Sequence, residues 1–183
     1  MLTQGERQFL VAVARHALKE EVCGVSCPAP EPLATPAMSQ TVGAFVTLNK
    51  GGELRGCLGL LSSDMALPVT IDMMARRAAT EDPRFDPVSP DEVEDLTVEL
   101  SILSPFHPIT AAADVTIGRD GLLIQRGSRR GLLLPQVAER YHFTPEEFLE
   151  ETCLKAGLPR HAWKDEGTDL QAFSAEVIEE GEP

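Results

Sequence analysis

The sequence predicts an α+β protein in which helices pack on a mostly antiparallel sheet. Three observations lead there. A glycine-rich turn, Asn49-Lys50-Gly51-Gly52, joins two strand-like runs, Gly43–Leu48 and Leu54–Leu61. Leu96, Val98, Leu100 and Ile102 alternate with Thr97, Glu99 and Ser101, the pattern of a strand with one polar face. Apolar residues recur at helical spacing in several segments before and after these runs.

Taken in order, Thr3-Gln4-Gly5-Glu6 has the spacing of a capping box, with Phe9, Leu10, Val13, Ala14, Ala17 and Leu18 at helical spacing behind it. This helix should end before Gly24. Residues 24–41, rich in Pro, Ala and Ser, read as a surface loop that is ordered only where something packs on it. After the hairpin, Ile71, Met74, Ala75, Ala78 and Ala79 share a helix face. That helix stops near Asp82-Pro83, because proline disfavours helix at the residue before it. Ser89-Pro90-Asp91-Glu92 is a second capping box, with proline in its first turn. The alternating strand follows, and then Val115–Ile117, Gly121–Gln125 and Gly131–Leu134 read as strands. Pro135 opens a helix through Val137, Ala138 and Tyr141. Thr144-Pro145-Glu146-Glu147 caps another, with Phe148, Leu149, Thr152, Cys153 and Ala156 on one face and Gly157 at its end. Phe173, Ala175 and Val177 suggest a last strand, and the acidic tail 179–183 is expected to be loose. Residues 1–183 read as one domain. Within it, 43–80 and 120–156 share the order strand, turn, strand, helix, a weak internal repeat.

The chain carries 16 Lys and Arg against 29 Asp and Glu, a formal net charge of −13. That argues against binding nucleic acid or an anionic membrane, since phosphate contacts need a basic surface. Twelve of the sixteen basic residues are arginine, the better fork for carboxylate or phosphate. No run is long and apolar enough to span a bilayer, and the N-terminus has no basic stretch ahead of an apolar core. The four cysteines show no disulfide-rich pattern, so they read as thiols in a reducing, cytoplasmic compartment.

One segment stands out chemically. In Arg55-Gly56-Cys57-Leu58-Gly59 two glycines flank a thiol within a strand, where glycine is unfavourable unless another backbone or a ligand approaches closely. On one reading Cys57 is a nucleophile or ligand-contact thiol, with Arg55 as an anion clamp that favours thiolate. On the other, Cys57 is a buried small hydrophobe at a β-bulge, the usual fate of free cysteine. Asp82 and Arg84, in the turn Asp82-Pro83-Arg84-Phe85, line the same pocket or simply close the turn with an ion pair. Glu99, on the polar face of its strand, needs a partner if buried, and Arg55 or Arg84 would serve. No metal set is evident: Cys23 and Cys27 lack a companion pair, and His16, His107, His142 and His161 are scattered. Neither a phosphate-binding loop nor a dinucleotide fingerprint is present, so no cofactor is expected.

Arg55-Gly56-Cys57-Leu58-Gly59, behind a Phe-Val-Thr-Leu strand, resembles the signature of the AMMECR family. The resemblance continues through Ala78–Phe85, Val98–Ser101, Ile117–Leu122, Arg130–Ala138, Phe148-Leu149 and Lys155–Leu158, and so covers nearly the whole chain. Phe143 and Asp120 depart from the Trp and His common at those places. The resemblance implies a barrel-like sheet built from two β-α repeats. Similar prokaryotic proteins are known as protein A of the AmmeMemoRadiSam system, encoded with a Memo-like protein and a radical-SAM protein. Two expectations follow. The chain is an enzyme or modification component that binds a small anionic ligand around Cys57, with Arg55, Gly56, Asp82, Arg84 and Glu99 in the pocket. Alternatively, it is a non-catalytic partner or scaffold for the Memo-like and radical-SAM proteins.

Overall fold

The computed structural model describes residues 1–181. The fold class is α+β, with curled antiparallel sheet and packed helices. The chain divides into two compact units, Met1–Leu103 with Glu176–Pro183, and Ser104–Ala175.

The first unit contains α1 (Gln4–Cys23), β1 (Ala44–Lys50), β2 (Glu53–Leu60), α2 (Leu67–Thr80), a 3₁₀ turn over Pro90–Asp95 and β3 (Leu96–Leu103). β1 lies between β2 and β3, antiparallel to both. The expected caps are present: the Thr3 hydroxyl accepts from the Glu6 amide, the Glu6 carboxylate accepts from the Thr3 amide, and Gly24 closes α1 at φ 63°. Leu10, Ala14, Ala17 and Leu18 of α1 form one core with Ile71, Met74, Ala75 and Ala78 of α2 and the inward residues Ala44, Val46 and Leu48 of β1. Alanines on both helices permit close approach, and leucines fill what remains. The loop after Gly24 does pack on something. Met38 is buried, and the Thr35 hydroxyl donates to Glu6 Oε1 at 2.6 Å.

The second unit contains β4 (His107–Pro108), β5 (Asp120–Arg126), β6 (Arg129–Leu133), α3 (Pro135–Tyr141), α4 (Pro145–Lys155) and most of β7 (Asp169–Glu179). β7 pairs antiparallel with β4 and with β5, and β5 pairs with β6. Leu122, Ile124, Ala138, Phe148, Leu149 and Cys153 form its core. The strand expected at Val115–Ile117 is absent. The chain turns there instead: the Thr116 carbonyl accepts from the amides of Arg119 and Asp120, and Asp120 Oδ2 accepts from the Thr116 amide at 2.8 Å. Apolar alternation over three residues does not distinguish a turn with one buried valine from a strand.

The acidic end also departs from expectation. Glu179 closes β7, and Glu180 pairs with Arg15 and accepts from the Val98 amide at 3.0 Å, so these residues are held. Residues 182 and 183 lie outside the described residues. In both hairpins a glycine on the second strand meets helix backbone. A Cβ on Gly56 would strike the Ala78 carbonyl of α2, and one on Gly131 would strike Thr152 and Ala156 at the end of α4. No helix among the described residues is long and apolar enough to cross a membrane.

Candidate functional site

β2 ends the strand order of the first unit, so one of its edges has no neighbouring strand. Such an edge presents unpaired amides and carbonyls and has to be covered. At Cys57 the covering group is an ion pair. Asp82 Oδ2 accepts from the Cys57 amide at 2.8 Å, and Arg84 Nη2 donates to the Cys57 carbonyl at 3.3 Å. Asp82 and Arg84 thus take the place of a neighbouring strand residue. They also hold each other, Nε to Oδ1 at 2.9 Å and Nη2 to Oδ2 at 2.6 Å. The Asp82 side chain is 3% exposed and that of Arg84 55%. The Arg84 guanidinium, aided by the Cys57 and Arg84 amides, holds the Asp82 carboxyl well below the usual carboxylate range. Arg84 Nη1 makes no hydrogen bond to the described residues.

Because the Cys57 amide and carbonyl both point outward, Cys57 and its cross-strand neighbour Thr47 share no backbone bonds. Pairs of that kind bring their side chains closest. The Thr47 hydroxyl accordingly donates to Cys57 Sγ at 3.3 Å. Thr47 stands opposite Glu99 on its other side, so Cys57, Thr47 and Glu99 form one row across three strands. Burial pushes the Cys57 thiol up, against the Thr47 hydroxyl and Arg84, which favour thiolate. The thiol therefore keeps its proton at neutral pH. Burial and then the neighbouring charge of Glu179 push the Glu99 carboxyl up as well. Its carboxylate accepts no hydrogen bond from the described residues. It borders a concavity of about 420 Å³ shared with Asn49, Thr97, Glu179 and Glu180.

Arg55 is not in this row. The pairing of β1 with β2 slips between Leu48 and Asn49, leaving Arg55 without a cross-strand partner. Such a bulge re-aims a side chain. The Arg55 guanidinium forks onto Glu92, at 3.0 and 2.9 Å, and donates to the Asp86 and Pro87 carbonyls. The expected anion clamp is thus occupied by a carboxylate of the protein, and Arg55 pairs with neither Glu99 nor Cys57. Gly56 is explained by α2, whose Ala78 carbonyl fills the space a side chain would need. Gly59 lies beneath the Phe45 ring of β1. Among the expected residues, Cys57, Asp82 and Arg84 are in direct contact, and Glu99 is joined to them through Thr47. Thr47 and Glu92 were missed. Hairpin register counted from the Gly51-Gly52 turn, with the bulge allowed for, would have found Thr47. Glu92 was visible only as a cap, which it also is, accepting from the Ser89 amide at 3.0 Å. Among the described residues no group of His, Cys, Asp and Glu could hold a metal ion.

A model of the AMMECR1 family matches residues 11–178. The chain belongs to that family. Proteins from Thermococcus gammatolerans and Methanothermobacter thermautotrophicus are each 41% identical to it over 186 residues. The alignments cover 96% and 98% of this chain and 91% and 96% of those relatives. The crystal structure of an uncharacterized protein from Pyrococcus horikoshii superposes with a TM-score of 0.85 at 39% identity, over 96% of this chain and 91% of that one. The family thus extends over both units, and the Arg-Gly-Cys-Leu-Gly strand lies inside the matched span.

Proposed function

We propose that this AMMECR1-family protein binds a small anionic molecule beside the Arg-Gly-Cys-Leu-Gly strand. Arg84 supplies the positive charge, and Cys57, Thr47 and Glu99 supply directional contacts. The observation that carries this reading is the Asp82 carboxylate, which ties an exposed arginine to the backbone of the thiol-bearing residue. A charge so placed is pre-oriented, and a carboxylate or phosphate reaching its free Nη1 edge meets a donor that needs no ordering. Neutral Cys57 can donate to such a ligand, and burial and Glu179 favour the neutral, donating form of the Glu99 carboxyl beside it. The alternative, a non-catalytic partner of Memo-like and radical-SAM proteins, would be favoured by a thiol sealed in the core. Cys57 is only half-buried.

The test is calorimetric titration of the purified protein with a panel of small carboxylates and phosphates. A binding member of the panel should lose about ten- to a hundredfold in affinity on Arg84→Gln, the loss of one charge-assisted bond. Arg55→Gln should leave the affinity unchanged, because that guanidinium belongs to Glu92. Bound ligand should also slow alkylation of Cys57. A panel without a binder, or a binder indifferent to Arg84, would sink the proposal.

A further inference from the structure

Helices α3 and α4 of the second unit leave an apolar surface uncovered. Tyr141 is 61% exposed and Leu154 43%, the two large hydrophobic residues of that unit so placed among the described residues. With Val137 and Phe143 they line a concavity of about 500 Å³, whose rim carries Glu151 and Lys155. His142, the one non-glycine residue among those described with positive φ, turns the chain at φ 54° after α3. That turn stacks the rings of Tyr141 and Phe143, with centroids 5.6 Å apart and planes 18° from parallel. A left-handed residue other than glycine costs free energy. Here it closes α3, the His142 amide donating to the Ala138 and Glu139 carbonyls, and it leaves Tyr141 facing solvent beside half-buried Phe143, which packs on the core of the unit.

We infer that a second copy of this chain covers this surface, with α4 packed antiparallel against its counterpart around a twofold axis at the level of Cys153. Charge self-complementarity selects this occupant. On α4, Glu151 and Lys155 stand one turn apart, about 6 Å along the axis, on either side of residue 153. A twofold axis at that level sets Glu151 of each copy opposite Lys155 of the other, giving two reciprocal pairs from one helix face. Leu154 and Tyr141 then lie between the pairs and are removed from water. Lys155 makes no ion pair among the described residues. Glu151 pairs with Arg160, Oε1 to Nη1 at 2.9 Å, and is itself one-third exposed. The distribution of charge points the same way. Residues 104–175 hold eight basic and ten acidic residues, a net charge of −2, while the rest of the chain holds eight and nineteen, a net −11. At physiological salt, charges interact over about 8 Å. A contact between two copies made by second-unit surfaces therefore brings together less like charge than one made by first-unit surfaces.

Sedimentation equilibrium of the full chain tests this. A reversible dimer is expected. Lys155→Glu should raise its dissociation constant about tenfold or more, because symmetry counts the lost attraction and the new repulsion twice. Leu154→Ser should dissociate it too, and at concentrations below the wild-type dissociation constant, where no dimer contributes to stability, both variants should melt close to the wild type, since both side chains are exposed. The double exchange Glu151→Lys with Lys155→Glu should restore the dimer. A wild-type protein that stays monomeric up to millimolar concentration overturns the inference. So does a dimer indifferent to Lys155→Glu, or a double exchange no better than the single one.

Discussion

The two hairpin–helix segments, residues 43–80 and 120–156, use glycine alike and differ in what stands beside it. Each has Arg-Gly on its second strand, Arg55-Gly56 and Arg130-Gly131, and each glycine lets helix backbone come within contact of the sheet. After that glycine the first hairpin has Cys57 and the second Leu132. Cys57 has its strand edge closed by Asp82 and Arg84 and its thiol bonded by Thr47. The second unit also has a buried aspartate paired with an arginine, Asp120 with Arg119, but that pair secures a turn at the start of β5. Close packing explains the glycines in both segments. It does not explain the thiol, the half-exposed Arg84 or Glu99, whose carboxylate has no hydrogen-bond donor among the described residues, and those three stand together in the first unit.

The comparison can be broken most directly at the shared feature. Gly56→Ala and Gly131→Ala should each cost about 3 kcal/mol in urea unfolding, the upper end of the range for forcing a methyl group into a filled space, because the atoms met are helix backbone. Two similar losses would show equivalent packing. A neutral Gly131→Ala would show that only the first hairpin is pinned by its helix.

A somewhat smaller effect separates the two aspartates. Asp82→Asn should cost about 2 kcal/mol at neutral pH, the value of hydrogen bonds to a buried charge. The carboxyl is held below its unfolded range, so its contribution is complete above about pH 4 and declines as acid protonates it. The gap between wild type and Asp82→Asn should therefore narrow on acidification. The same variant should change the rate at which iodoacetamide modifies Cys57, whereas Asp120→Asn should not. Equal effects of the two on Cys57 would remove the distinction between a site and a turn.

The smallest effect, and opposite in sign, belongs to Glu99. Burial and Glu179 raise its carboxyl above the unfolded value, so ionisation in the folded state is unfavourable. Stability is lost as pH rises from about 4, the unfolded range, through the raised value. Glu99→Gln should then stabilise the protein slightly at neutral pH, with the gain disappearing in acid. Thermal melts of both proteins between pH 3 and pH 8 would check this, and a destabilised Glu99→Gln would mean that the carboxylate has a partner.

Local rules were enough for much of the fold. Thr3, Ser89 and Thr144 each precede a glutamate by three residues, and all three take part in capping boxes. The Gly51-Gly52 turn and the alternation over 96–102 located β1, β2 and β3, because side-chain period and turn chemistry act between near neighbours. The same reasoning failed at Val115–Ile117, where three residues are too few to show a period. It also failed at Glu180, whose partner Arg15 is distant in sequence. The site divides along the same line. The sequence by itself determined that a thiol sits between two glycines on a strand, followed by a helix and an Asp-Pro-Arg turn. Which arginine serves that thiol was decided only by tertiary structure. A one-residue bulge sends Arg55 to Glu92, and the end of α2 delivers Arg84 to the edge of β2. Hydrogen bonds and ion pairs reach only a few ångströms, so residues 25 or 37 apart in sequence are paired by the packing of helix on sheet and not by their spacing.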